Sequence, residues 1–392
     1  MLRTTCLAAS LFLLAAPSLA QKKGDELWDP YTQNKPEAIQ AAGYLAWGDF
    51  MFGQFRTSIV TEKLGGMTIR WVETENFKIG VELPECPPPY LKAEKERFGK
   101  EIFRLRKKLK KVPKKVKKLD PWLRLHLTAQ RAEDEYALFL KDFGIDPDEC
   151  EKEMADRWLG RRNKFLILLV DKEDTLARFT GNYTGQSARI AAHHHFKEED
   201  AFFFGMSFEG FAEGDRVDTD FYSAFASRLY ETFLHAYNRP YQLPWWLTQG
   251  LSSARQRSIS DRMDLYGNLK GHVTFEGWWR WRARVHAHVQ WKLYRSFAEC
   301  MVMDFDSKEI DVVDYMMMWS WGEYLLDQST ELRRAFLDEL KKPLNWMGDT
   351  NYEQRIWEQS KQAMENVLKA TPEQFEAQWK AWVMERGPGE KT

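Results

Sequence analysis

YSAFASRLYETFLHAYNRPYQLPWWLTQGLSS, residues 222–253, decides the fold. Pro240 and Pro244 punctuate it, so it reads as a helix, a turn and a second segment starting at Pro244. In the first helix Ala224, Arg228, Glu231 and His235 recur at three- and four-residue spacing and form one stripe. Opposite charges at that spacing pair, which predicts a polar network of Arg228, Glu231 and His235. The second segment presents Gln249, expected to hydrogen-bond to that network across a cleft.

The rest of the chain bounds what this stretch can serve. With 392 residues, 44% of them hydrophobic, it builds a sizeable core. A formal net charge of −1 gives no global pull toward nucleic acid or an anionic membrane. The 17 Trp and 25 Phe predict an aromatic core, since large rings are mostly buried. Trp245, Trp246, Trp278 and Trp281 are the aromatic candidates for binding a peptide or an envelope polymer.

Residues 1–20 read as a signal peptide. Arg3 supplies the positive start, LAASLFLLAA the short apolar region, and Ser18-Leu19-Ala20 the small residues before cleavage. No later run is long enough for a membrane span. An exported chain beginning near Gln21, periplasmic or secreted, is expected. Cys86, Cys150 and Cys300 then allow at most one internal disulfide, and their spacing fits no zinc knuckle.

Residues 21–66 form an N-terminal segment, with a short helix expected over 38–53. Met67–Leu83 alternates as two strands around a Thr74-Glu75-Asn76 turn. Residues 90–154 read as a charged helical hairpin, its second helix starting at Asp120-Pro121. The Lys107–Lys118 run inside it reads as a solvated linker, or as a site for an acidic envelope polymer. It lacks the interleaved aromatics of a nucleic-acid site. FLILLV, Phe165–Val170, is a buried strand, and Ala177–Tyr183 and Ala188–Phe208 suggest further short strands. In a strand His193 and His195 point one way and His194 the other, which works against a three-way metal site. Asp218-Thr219 is a candidate cap for the central helix. From residue 258 the chain reads as helical, with Trp278, Trp281, Val285, Val289 and Phe297 on one stripe. A last helix starts from a capping box at Thr371-Pro372-Glu373-Gln374. The core is taken as 67–300, and 301–392 as its helical continuation or a small subdomain.

Zinc peptidases of the gluzincin type carry H-E-x-x-H on one helix and a third ligand, Glu, on the next. Glu231-Thr232-Phe233-Leu234-His235 falls where that pentad would be. Pro244–Ser252, PWWLTQGLS, is similar to the P-x-W-L-x-E-G-L-A stretch that carries the third ligand. WVETENFKIG, YMMMWSWGEYLL and TPEQFEAQWKAWV resemble other blocks of the same proteins. The chain thus resembles the peptidase MA-like, gluzincin-type secreted proteins of bacteria. That resemblance implies an α+β, thermolysin-like (zincin-like) fold, the pentad helix packed beside a small mixed sheet, with a helix-rich C-terminal half and a helical hairpin insertion.

Position by position, the first ligand His becomes Glu231, the general base Glu becomes Thr232, the second ligand His stays as His235 and the third ligand Glu becomes Gln249. A neutral amide is a poor zinc ligand, and a threonine hydroxyl does not titrate near neutral pH. The resemblance therefore implies a pseudo-metallopeptidase without a resident zinc, binding a peptide or envelope component through Arg228 and the tryptophans. Two alternatives are a zinc hydrolase that recruits His193, His195 or Glu209 beside Glu231 and His235, and a structural envelope protein acting through its basic hairpin.

Overall fold

A computed structural model describes residues 26–152, 159, 163–212, 214–239, 241–261, 264–265, 273–274, 280–303, 310–341 and 352–389. In chain order, α1 (Pro36–Ala41), β1 (Ala46–Trp47), β2 (Met51–Phe52), β3 (Phe55–Arg56) and α2 (Thr57–Lys63) precede β4 (Arg70–Glu73) and β5 (Phe77–Glu82). Next come α3 (Lys92–Lys108), α4 (Pro121–Phe143), α5 (Pro147–Lys152), β6 (Phe165–Val170), α6 (Glu173–Thr184), β7 (Ala191–Phe196) and β8 (Ala201–Ser207). The helices α7 (Val217–Asn238) and α8 (Trp245–Arg257) follow. The last part holds β9 (Asp264–Leu265), β10 (Val273–Thr274), α9 (Trp281–Trp291), α10 (Phe297–Met301), α11 (Val312–Leu326), α12 (Thr330–Glu339), α13 (Tyr352–Ala363) and α14 (Pro372–Arg386).

The fold is α+β, built on a mixed six-stranded sheet in the order β1-β4-β5-β6-β8-β7. FLILLV reads as one apolar run because β6 is central, parallel to β5 and β8, and buried on both faces. Its alternate residues serve two cores. Phe165, Ile167 and Leu169 join Phe77, Ile79 and Val81 in the larger one, while Leu166, Leu168 and Val170 pack with Trp71, Leu176 and Phe179. Gly80 lets Trp71 lie flat on β5, since a Cβ there would sit 2.3 Å from the indole. The helices α4 and α7 cover the larger face, and α2 and α6 the smaller. Outward from α7 the layers continue through α8 to α11. The larger core runs from Ala42 to Val383 and so includes the C-terminal helices.

Several expectations are corrected. Ala177–Tyr183 is helix within α6, because Leu176, Phe179, Thr180 and Tyr183 follow helical spacing toward the sheet. The helix expected over 38–53 ends at Ala41, where Gly43 at φ +88° turns the chain into β1 beside β4. Asp218 does not cap α7; it sits in the first turn and accepts from Arg131 at 2.7 and 3.0 Å. Phe297 starts α10 rather than continuing α9, which stops at Lys292 in the left-handed region.

The hairpin is not an appended insertion. The helix α4 is packed against β5 and α7, and its N-terminal half, from Trp122 to Ala129, is buried on every side. Arg131 fixes it there, bridging Asp218 of α7 and Glu101 of α3, the latter at 2.8 Å. The expected caps at Asp120 and Thr371 form, each accepting from backbone N–H groups of its first turn. Cys86 and Cys300 are buried free thiols, both pushed up by burial, Cys86 to about 11. The side chain of Cys150 lies outside the described residues. Among those residues no helix is long and apolar enough to cross a membrane.

Candidate functional site

The central helix α7 lies on β8, with β7 forming the free edge of the sheet beside it. Antiparallel pairing brings His193 opposite Phe204 and His195 opposite Phe202, and the His193 ring stacks on Phe204. Strand alternation turns His193 toward α7. There its Nδ1 lies 2.9 Å from the Thr232 hydroxyl. That hydroxyl also reaches the Arg228 carbonyl one turn earlier at 2.8 Å. The ring's Nε2 lies 3.5 Å from the Glu231 carboxylate.

Glu231 belongs to Arg228, whose Nη1 donates to Oε2 at 2.7 Å. His235 stands farther off, its Nε2 4.0 Å from Oε1, with a side chain 42% exposed. Burial alone raises the Glu231 carboxyl, but Arg228, with His193 and His235 behind it, overrides this and brings it down to about 2. Burial lowers His193 to about 4, and it also lowers His235. At neutral pH the group is therefore a carboxylate held by a guanidinium beside two neutral imidazoles.

A cavity of about 480 Å³ opens between β7 and the C-terminal half of α7, lined by His193, His194, His195, Lys197, Thr232, His235, Arg239 and Tyr241. Asp200 organises its far end by accepting from His195 at 2.9 Å and pairing with Arg239. His195 is lowered to about 4 by burial, with Arg239 and Lys197 adding to it. The sequence pattern placed His193 and His195 on one face, but nothing in it revealed Thr232 as the partner of His193 or the Asp200–Arg239 pair.

The remaining predicted residues lie elsewhere. Gln249 is buried, and its amide donates to Ser253 on its own helix at 2.8 Å rather than to the Glu231 network. Trp246 and Trp281 are core residues: Trp246 packs on Phe297 and Phe375, Trp281 on Trp319. Trp245 is half-buried against Tyr315. These three rings are held by packing rather than arrayed on the cavity, which corrects their reading as a binding surface. Trp278 lies outside the described residues. Glu209 is likewise spent, accepting from the Glu173 N–H at the start of α6 and from Lys172.

These residues do not fit a zinc site. The Glu231 carboxylate is neutralised by Arg228, Gln249 is turned into its own helix, and Thr232 supplies no base. Among the described residues no three His, Cys, Asp or Glu side chains are grouped to hold a metal ion. What the arrangement offers is a cleft with a strand edge on one side. Ser207 donates to the Ile190 carbonyl at 2.9 Å, so by alternation Ala191, His193 and His195 turn their backbone N–H and C=O groups toward the free edge. No protein-family model and no curated protein matches this chain.

Proposed function

We propose that this protein is an exported, zincin-like scaffold of the peptidase MA-like type that has lost hydrolysis and holds an extended peptide or envelope component. The observation that carries the reading is the Arg228–Glu231 bond, which places a guanidinium against the residue aligned with the first zinc ligand. A pentad helix lying on a small mixed sheet supports the zincin-like assignment. The outward backbone groups of β7 support a peptide ligand, which would add a strand there. Export rests on the character of residues 1–20 alone.

A second reading is a hydrolase with replaced ligands. It draws on His193 and His235, whose Nε2 atoms stand 3.5 and 4.0 Å from the two oxygens of the Glu231 carboxylate.

Metal analysis of the purified full chain, with a casein digestion assay, separates the two. The scaffold reading expects no retained zinc and no chelator-sensitive cleavage. About one zinc per chain that survives dialysis and is lost in His235→Ala would overturn it in favour of the hydrolase.

A further inference from the structure

Lys107–Leu119, KKLKKVPKKVKKL, holds eight lysines and no acidic residue, in a chain whose 57 Lys and Arg in all nearly match its 58 Asp and Glu. All eight lysines are exposed. The segment is nevertheless fixed. Leu109, Val112 and Leu119 are fully buried, and Val116 packs half-buried against the larger core. Cys86 and Leu119 exchange backbone hydrogen bonds at 3.0 and 2.9 Å, and Arg106 Nε donates to the Val112 carbonyl at 3.1 Å. Pairs of lysines therefore stand outward between apolar anchors.

Lys107 and Lys108 have a local role, complementing the C-terminal dipole of α3. Lys118 pairs with Glu85. Neither accounts for Lys110, Lys111, Lys114 and Lys115, which stand exposed between the buried anchors. A flexible solvated linker would need no anchors and would let these charges spread. Phe103, one turn before Lys107 on α3, is 57% exposed, with the Lys107 ammonium 4.7 Å from its ring centre.

We propose that this pinned lysine array is a docking surface for an anionic lipid membrane, with Phe103 entering the interface. Lysines are point charges without the fork that grips one phosphate in a set geometry, so the array reads charge density over a surface. An exposed phenyl ring beside cations gains from an acyl–headgroup boundary and little from a soluble polymer. The surface is separate from the β7 cleft and does not depend on the function assigned to that cleft.

Cosedimentation of the full chain with vesicles tests this. Binding to phosphatidylglycerol–phosphatidylcholine vesicles, none to phosphatidylcholine alone, and loss as salt rises are expected. Changing Lys110, Lys111, Lys114 and Lys115 together to Gln should weaken binding at least about a hundredfold, at roughly tenfold or less per lysine. The same four changed to Arg should retain it. Phe103→Ala should weaken it severalfold. All five sites are exposed, so circular dichroism should stay unchanged. Equal binding by the Gln variant overturns the proposal. Binding to soluble polyphosphate but not to the anionic vesicles, or no effect of Phe103→Ala, overturns the lipid assignment.

Discussion

Arg228 donates to Glu231 at 2.7 Å across one turn of α7, where a zinc peptidase of the resembled type would present a ligand to metal. Both side chains are mostly buried, so neither is well solvated without the other. Arg228→Met should cost about 2–3 kcal/mol in urea unfolding at neutral pH, mostly from the stranded carboxylate. Adding Glu231→Gln should restore more than half of that loss. An unchanged midpoint in Arg228→Met would mean that the pair contributes nothing.

Acid should loosen the cleft in a defined window. Burial holds His193 and His195 down to about 4 in the folded chain, against 6.5 in the unfolded one, so the unfolded chain binds more protons between those values. Stability contributed by the neutral rings is present above pH 6.5 and lost as pH falls toward 4. Below 4.5 the depressed Glu231 adds to the loss. Unfolding free energies measured from pH 7 to 4 should fall less steeply in His193→Gln, His195→Gln. A slope equal to that of the parent protein removes the assignment.

Burial raises Asp220 to about 6, while Ser260 donates to it at 2.7 Å. The sign is opposite: the folded state keeps this proton, so its contribution is full below pH 3.8 and lost as pH rises through 6. Asp220→Asn should therefore gain stability relative to the parent protein between pH 4 and 7. A constant difference across that range would refute the shift.

Gly250 of α8 and Gly322 of α11 touch backbone to backbone. A Cβ on Gly250 would lie 2.4 Å from the Met318 carbonyl oxygen, and one on Gly322 would lie 2.4 Å from Gly250. Gly250→Ala should cost about 3 kcal/mol by forcing the helices apart. Gly99 in α3 has open space around its Cβ position, so Gly99→Ala should stabilise by about 0.5–1 kcal/mol. Thermal melts of the two variants should move in opposite directions.

Arg131 is buried between Asp218, which it grips with both terminal nitrogens, and Glu101. Arg131→Met should cost at least about 3 kcal/mol, since it strips two buried carboxylates of the cation that hydrogen-bonds both. Replacing all three with apolar residues of similar volume should recover most of it. A triple variant no more stable than the single one would show that the network does more than neutralise itself.

Local pattern carried much of this structure. Alternation at 67–83 and the apolar run at 165–170 yield β4, β5 and β6, and Asp120 and Thr371 cap the helices they precede. These signals are local because strand period, helix period and cap chemistry are set within a few residues. The failures share a cause as well. Ala177–Tyr183 mixes strand-favouring Phe179, Thr180 and Tyr183 with residues that are not, and the smaller face of the sheet selects a helix to cover it. The tryptophans near the cleft in sequence are drawn into the core, because burying a large ring outweighs the gain from displaying it.

The 222–253 stretch by itself determined two helices, a turn between them, and the Arg228–Glu231 pair, because three-residue spacing on a helix leaves those groups adjacent whatever surrounds them. Only the tertiary structure decided that His193 arrives from the edge strand to meet Thr232, and that Gln249 turns away to Ser253. The first is fixed by the register of β7 on β8 and joins segments far apart in the chain, and the second by the burial of Gln249 once α8 is packed.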